Sequence, residues 1–141
     1  MKNLLYILLF VNGLSAISFA QSDRKLTAYL QTKQFVAPGI GNYLEIHIQY
    51  VGPSIQYTPL NNGLIGELAV QMAIYKKDSI INSDAYRLKT PFMVDSIIDD
   101  FYDIKRFALE PGNYQVALII QDLNSKNDPI NTNFAVNVEA F

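Results

Sequence analysis

The most informative stretch of the sequence is LEPGNYQVALIIQ, residues 109–121. Pro111 and Gly112 indicate a turn, because proline presets φ and glycine suits a left-handed turn position. After the turn, apolar residues recur at every second position, and residues two apart share one face of a β-strand. A tyrosine such as Tyr114 near the strand start is typical of the tyrosine corner of immunoglobulin-like sandwiches, where its hydroxyl bonds to upstream backbone. An ordinary hairpin with a packed tyrosine is the alternative.

The same period of two recurs along the chain and predicts an all-β protein. The predicted strands are 25–35, 43–51, 54–57, 64–75, 79–88, 104–109, 113–121 and 130–140. For residues 93–103 a strand end, a loop and one helical turn are left open. The inward side chains are predicted to be Leu44, Ile46, Ile48, Tyr50, Leu68, Val70, Met72, Ile74, Tyr114, Val116, Leu118, Ile120, Phe134, Val136 and Val138. Seven to eight short strands favour an immunoglobulin-like antiparallel sandwich in a single domain, residues 21–141, over a small β-barrel.

The first twenty residues have the pattern of a signal peptide. Lys2 precedes an apolar run at 4–11, and Ser18-Phe19-Ala20 places small residues where a signal peptidase cuts. A membrane anchor is the alternative, but the run is too short to cross a bilayer as a helix. The sequence therefore predicts cleavage after Ala20, no later transmembrane segment, and an exported protein that is periplasmic or secreted, with association to the cell surface left open.

Charge and cysteine content exclude several classes of function. The chain has no cysteine, 11 Lys and Arg residues, 13 Asp and Glu residues, and a formal net charge of −2. Without cysteine there are no disulfides, thiol nucleophiles or cysteine-ligated zinc. No more than two basic residues are adjacent, whereas nucleic-acid binding requires a clustered basic surface. The sequence therefore predicts no nucleic-acid partner.

His47 is the only histidine and lies on the polar side of strand 43–51. A general base needs a positioned partner and a cleft, and no serine lies in a Gly-x-Ser-x-Gly turn. We therefore predict a solvated surface histidine and keep a hydrolase as a remote alternative. Four acidic residues follow later, namely Asp95, Asp99, Asp100 and Asp103. Their spacing matches no calcium loop, so a solvated acidic loop is favoured over paired catalytic carboxylates or a cation site.

Residues 122–128 have part of the pattern of an EF-type calcium loop. Asp122 and Asn124 occupy its first and third positions, but Lys126 lies where an oxygen ligand is required. Side chains of Asp, Asn and Ser that bond their own backbone form turns unaided, which predicts a hairpin turn. The sequence thus predicts no catalytic, cofactor-binding or metal-binding residue.

Three of the nine tyrosines are expected to face outward: Tyr29, Tyr75 and Tyr86. An exposed tyrosine can stack on a sugar ring or anchor a protein partner. The alternative is that tyrosine simply fills half-buried strand positions, for which it has a good propensity.

Several short segments together resemble a known family. They are Leu26-Thr27-Ala28-Tyr29, Phe35, Pro38, Gly41-Asn42-Tyr43-Leu44-Glu45, Lys77-Asp78-Ser79-Ile80, Arg106-Phe107-Ala108-Leu109, Gly112-Asn113-Tyr114 and Asp122-Leu123-Asn124-Ser125. Their pattern resembles the N-terminal β-sandwich region of GWxTD-domain proteins, which are exported bacterial envelope proteins. The GWxTD motif itself is absent, because the chain has no Trp. The resemblance implies either a truncated product or a stand-alone first domain, and no established activity, cofactor or substrate.

These observations favour a non-catalytic structural or protein-interaction module of the cell envelope. A carbohydrate- or small-ligand-binding sandwich is the second hypothesis, which an aromatic platform on one sheet face would favour. From Asn131 to Phe141 the last strand carries no Lys, Arg or Pro, so its edge and Phe141 are the expected docking surface for a protein partner or a following domain. The alternative is a central last strand with Phe141 tucked beneath it. The oligomeric state is left open.

Overall fold

Alternating apolar residues form nine β-strands in residues 24–95 and 97–141, the part of the chain that the computed structural model describes. The strands are β1 (Ala28–Ala37), β2 (Gly41–Tyr50), β3 (Thr58–Leu60), β4 (Gly63–Ile65), β5 (Glu67–Lys76), β6 (Ser79–Lys89), β7 (Phe101–Ala108), β8 (Gly112–Asp122) and β9 (Ile130–Val138). One turn of 3-10 helix, Gly52–Ser54, follows β2. The predicted signal peptide, residues 1–20, lies outside the described residues.

Two antiparallel sheets carry the architecture. The first has the order β1-β2-β7 and the second β6-β5-β8-β9, while β3 and β4 form a separate two-stranded hairpin. Neither large sheet closes on itself, so the fold is the predicted all-β sandwich and the barrel alternative is wrong. In immunoglobulin notation, β1, β2 and β7 occupy the places of strands A, B and E, and β6, β5, β8 and β9 those of C′, C, F and G.

The core lies between the two sheets and confirms the predicted inward phase. The predicted inward residues of β2, β5 and β8 are all buried, and so are Val136 and Val138 of β9. Phe134 is only half-buried and packs against the same cluster. The alternation of apolar residues was sufficient to assign burial here, because each of these strands has one face on the core and one on solvent.

The predicted tyrosine corner is present at the entry to β8. The Tyr114 hydroxyl donates a 2.7 Å hydrogen bond to the carbonyl oxygen of Glu110, four residues upstream. Gly112 has φ of 154°, an extended mirror-image conformation that is essentially restricted to glycine. This value differs from the left-handed turn position that we expected, although the requirement for glycine is the same.

Strand boundaries differ from the prediction at two places where glycine interrupts the pattern. The predicted strand 54–57 is wrong, since Gly52 and Pro53 begin a 3-10 turn and the extended hairpin strand starts only at Thr58. The predicted strand 64–75 is divided at Gly66, whose N–H donates to the Thr90 hydroxyl and not to a neighbouring strand. A Cβ at Gly66 would lie 2.8 Å from the Ile55 side chain, so this crossing requires glycine.

Candidate binding face

The outward face of the three-stranded sheet concentrates aromatic and charged side chains, and we call it the aromatic face. Strand register places on it Tyr29, Gln31, Lys33 and Phe35 of β1, Tyr43, Glu45, His47 and Gln49 of β2, and Tyr102, Ile104, Arg106 and Ala108 of β7. These residues alternate with the buried residues of β2, so the hydrophobic phase of the central strand determines which side chains are displayed.

A buried carboxylate lies at the centre of the aromatic face. Glu45 points outward as predicted, yet it is only 6% exposed. Arg106 Nε donates to Glu45 Oε1 at 2.6 Å, and His47 Nε2 lies 2.7 Å from Oε2, so both carboxylate oxygens are occupied. The hydrogen bond from Arg106, followed by that from His47, lowers the pKa of the Glu45 carboxyl. The same pair raises the pKa of Arg106.

The prediction of a solvated, partnerless His47 is therefore wrong. Its side chain is half-buried and paired with Glu45 two positions earlier on the same strand. Side chains at i and i+2 share one strand face, so this contact was available from the sequence once the phase was known. Within residues 24–95 and 97–141, His47 makes no other side-chain hydrogen bond. The pair thus holds the imidazole in a fixed position on the face.

Two exposed tyrosines stand at one end of the aromatic face. Tyr29 and Tyr102 are 61% and 67% exposed, and both pair in register with Gln49 from opposite sides. Neighbouring strands lie about 4.8 Å apart, which puts the two tyrosine Cα atoms about 10 Å apart. Gln49 is held between them by a 2.9 Å hydrogen bond from its Nε2 to Asp100 Oδ2.

A second aromatic group lies at the opposite end of the face. Phe35 and Tyr43 stack with ring centroids 5.3 Å apart and an interplanar angle of 20°. Phe35 follows Tyr29 by six positions in β1, a distance of about 20 Å in an extended strand. The aromatic face therefore has an aromatic group at each end and the Glu45–Arg106 pair between them.

The other predicted exposed tyrosines have different outcomes. Tyr75 points outward from the four-stranded sheet and is half-buried. The outward prediction for Tyr86 is wrong, because it lies opposite Val70 on the core side of β6 and donates a hydrogen bond to Asp103 Oδ2. Burial, followed by this hydrogen bond, raises the pKa of Tyr86, which keeps the phenol protonated as a donor.

The four acidic residues between 95 and 103 do not form one site. Asp95 and Asp99 are exposed as predicted, whereas Asp100 accepts hydrogen bonds from Gln49 Nε2 and the Gly52 N–H. Asp103 faces the core side of β7. The prediction of a solvated loop holds for Asp100, which is exposed just before β7, and is wrong for Asp103, which is half-buried within β7. In the described part of the chain, no group of three or more acidic or histidine side chains is placed to hold a metal ion.

Asp122 has a structural role in the predicted hairpin turn. It is buried at the end of β8, where Oδ1 accepts from the Asn124 N–H at 3.0 Å and Oδ2 from the Gln56 N–H at 2.7 Å. β8 and β9 then pair antiparallel, which confirms the hairpin. Both oxygens of Asp122 serve backbone donors, and the turn forms through them.

Comparison with known proteins identifies no relative of this chain. No protein-family model matches the chain, and no curated protein and no solved structure matches it. Among the described residues, no helix has the length and apolar character needed to cross a membrane. The fold and the aromatic face together define an antiparallel β-sandwich that displays aromatic side chains and cations on one open sheet.

Proposed function

We propose that this protein is a non-catalytic interaction module of the bacterial cell envelope that docks a protein partner on the aromatic face. The observation that carries the proposal is the pair Tyr29 and Tyr102, which are largely exposed on either side of Gln49. Tyrosine and arginine are enriched at the energetic centres of protein interfaces. Their position on paired strands reduces the entropy that binding would otherwise lose.

The charges on the aromatic face favour a partner with exposed carboxylates. Arg106 is 65% exposed at its side chain although Nε is held by Glu45, so the guanidinium has further N–H donors for an incoming group. Lys33 stands opposite Glu45 on the other neighbouring strand and is exposed. The face thus displays two cations around one buried and already paired anion, which suits an acidic surface patch.

Export and envelope location are supported by the N-terminal segment and by the resemblance to GWxTD-domain proteins. Lys2, the apolar run at 4–11 and Ala20 have the composition and spacing that a signal peptidase recognises. The resembling segments include Tyr29 and Arg106, two members of the aromatic face. A following domain is one source of a partner surface, and a separate envelope protein is the other.

Carbohydrate binding is the second candidate, and one specific arrangement favours it. An amide side chain, Gln49, lies between two exposed rings, Tyr29 and Tyr102. Aromatic rings with a hydrogen-bonding group between them suit a sugar chain, because each ring presents an apolar surface and a polar tip. If a sugar chain binds at these tyrosines, Lys33 and Arg106, at the centre of the face, would contribute little to its affinity.

Capture experiments with matched variants test the proposal. Tyr29→Ala, Tyr102→Ala and Arg106→Gln are immobilised beside the wild type and a control, Tyr75→Ala, which truncates an outward tyrosine on the other sheet. Under protein docking, an envelope protein retained by the wild type and the control is lost from all three aromatic-face variants. Its retention also falls as salt is raised, because exposed charges are screened.

The outcomes separate the two candidates. Binding to a glycan panel that depends on Tyr29 and Tyr102 but not on Arg106 supports the carbohydrate hypothesis and rejects protein docking. Equal capture by wild type and aromatic-face variants shows that the face is not the docking surface. Thermal melts of each variant verify that the sandwich is still folded.

A further inference from the structure

The sandwich has two open sides, one between the edge strands β6 and β7 and one between β1 and β9. The side chains along these two sides differ in chemical character. On the side of β6 and β7, the Tyr86 hydroxyl donates to Asp103. On the same side the Lys105 ammonium lies 3.1 Å from Asp84 Oδ2 and 3.7 Å from the centroid of the Tyr86 ring. Inward-pointing charges of this kind block the addition of another strand at a sheet edge. This side is therefore sealed by a polar cluster.

On the side of β1 and β9, the described residues form no such cluster along the middle of the two strands. Leu30 lies opposite Ile48 on the core side of β1 but is 37% exposed. Phe134 of β9 is half-buried. Polar bridges occur at the two ends of this side. At one end the Gln34 side chain donates to Asn137 O and accepts from the Glu139 N–H at 3.0 Å, and at the other Asn127 Nδ2 donates to Arg24 O at 3.0 Å. Apolar side chains of the core are thus partly open to solvent here.

The contacts of Gln34 show which backbone groups of β9 point to the free edge. In an antiparallel strand, both backbone groups of one residue point to the same side and those of the next residue to the other side. Because Asn137 C=O and Glu139 N–H face β1, the odd-numbered residues face away from β8. Asn131, Asn133 and Ala135 therefore present their N–H and C=O groups at the free edge.

The edge of β9 also differs from the other edges in charge. Residues 130–138 contain no charged residue and no proline, and β9 pairs with β8 without a register shift. The edge strands β1, β6 and β7 all contain charged residues, for example Lys33, Asp84 and Lys105. Among the described residues, β9 is thus the edge strand of the two sheets that has neither the charged residues nor the proline that commonly block strand addition.

We propose that β9 pairs with β9 of a second copy of the chain, antiparallel and centred on Asn133. This register aligns Asn131 with Ala135 of the other copy and Asn133 with its own counterpart, which forms about six backbone hydrogen bonds. A second copy is favoured because the edge is neutral and complements itself. The Asn133 amide can both donate to and accept from its counterpart, and Phe134 of each copy covers the open side near Leu30 of the other.

This self-pairing is separate from docking on the aromatic face, since β9 belongs to the other sheet. It would join two four-stranded sheets into one continuous sheet. An interface of one strand edge is smaller than a standard protein–protein interface, so the association is weak and concentration-dependent.

Sedimentation equilibrium over a concentration series that reaches millimolar tests the inference. The protein is used with the N-terminus it has when isolated from the expressing cell. The weight-average mass is expected to rise towards twice the monomer mass. Ala135→Lys, which places a charge on the edge strand, should hold the mass at that of the monomer. Ala85→Lys is the matched control, because Ala85 is an exposed outward alanine on β6, the opposite edge of the same sheet, and it should dimerise like the wild type.

Asn133→Pro gives an independent test. Its N–H faces the free edge and not β8, so proline removes an intermolecular donor without removing a bond of the internal ladder. A folded Asn133→Pro monomer supports the inference, and Tyr102→Ala should leave the dimer intact. A wild type that remains monomeric throughout overturns the inference, even if its edge captures an extended segment of another protein. Dimers that survive both Ala135→Lys and Asn133→Pro, or that are lost in Ala85→Lys, overturn it as well.

Discussion

Arg106 lies directly opposite Glu45 in the register of β2 and β7, and its Nε donates a 2.6 Å hydrogen bond to a carboxylate that is almost fully buried. This pair orients the only arginine of the aromatic face. His47 completes the arrangement on the second carboxylate oxygen. Burial disfavours the charged form of a carboxylate unless hydrogen-bond donors compensate for the lost water. The pair is therefore sensitive to pH, because protonation of Glu45 removes the charge that these donors stabilise.

The lowered pKa of Glu45 predicts a loss of stability in acid. The unfolded chain takes up a proton on Glu45 near its ordinary value of 4.5, whereas the folded protein does so only at lower pH. The contribution of Glu45 is therefore complete above 4.5 and is lost as the pH falls through the folded pKa. Chemical unfolding across this range should show a smaller loss in acid for Glu45→Gln than for the wild type.

Arg106→Gln serves as the partner variant for this measurement. It should remove most of the same pH-dependent component, and the double variant should add little, because both changes break one pair. Parallel pH profiles for the wild type and Glu45→Gln would show that Glu45 has the same pKa in the folded and unfolded states.

Tyr114→Phe tests the tyrosine corner. The change removes the hydrogen bond to Glu110 O while it keeps the buried ring. We expect a decrease of about 1 kcal/mol in the free energy of unfolding, the typical net value of one hydrogen bond. Urea denaturation measures it, with Tyr102→Phe as the exposed control that should change by less than about 0.5 kcal/mol. Equal losses for the two variants would contradict a specific role for the corner.

Leu118→Ala tests the centre of the core. Leu118 is buried in β8 between the two sheets, and truncation of a buried leucine costs about 2–5 kcal/mol through lost burial and the cavity left behind. The neighbouring Ile119 points to the opposite face of the sheet and is half-buried. Ile119→Ala should therefore destabilise the protein clearly less in the same denaturant melts. A larger loss of stability for Ile119→Ala than for Leu118→Ala would show that the inward and outward faces of β8 have been assigned the wrong way round.

Divalent cations should leave the stability of the sandwich unchanged. Both oxygens of Asp122 already accept backbone N–H groups, and Asp100 and Asp103 accept separate hydrogen bonds. We expect equal thermal midpoints with excess chelator and with millimolar Ca²⁺. A midpoint that rises by many degrees with Ca²⁺ would reveal a cation bound to the folded state.

The N-terminal segment predicts processing after Ala20. Intact-mass spectrometry of material exported by the expressing cell should give the mass of residues 21–141. An Ala20→Arg variant should slow processing, because the residue at the cut must be small. Exported wild type that retains residues 1–20 would disprove the signal peptide.

The predictions from sequence succeeded where one strand carries its own pattern. In β2, β5 and β8 large apolar residues occupy every second position, so their inward phase could be assigned without knowledge of their partners. Tyr86 could not be assigned in this way, because both phases of β6 contain polar residues and the pairing with Val70 decides its direction. The exposed Tyr102 was missed because β7 was predicted to begin only at residue 104.

By itself, the sequence determined the all-β class, the two-layer core, the hairpin at Asp122 and the corner at Tyr114. Each of these depends on local patterning or on turn chemistry within a few residues. Only the tertiary structure decided that Arg106 meets Glu45, that Tyr29 and Tyr102 flank Gln49, and that the edge of β9 is open. Those relationships join residues from strands far apart in sequence, and cross-strand register, which places them side by side, is set by the packing of the whole sandwich.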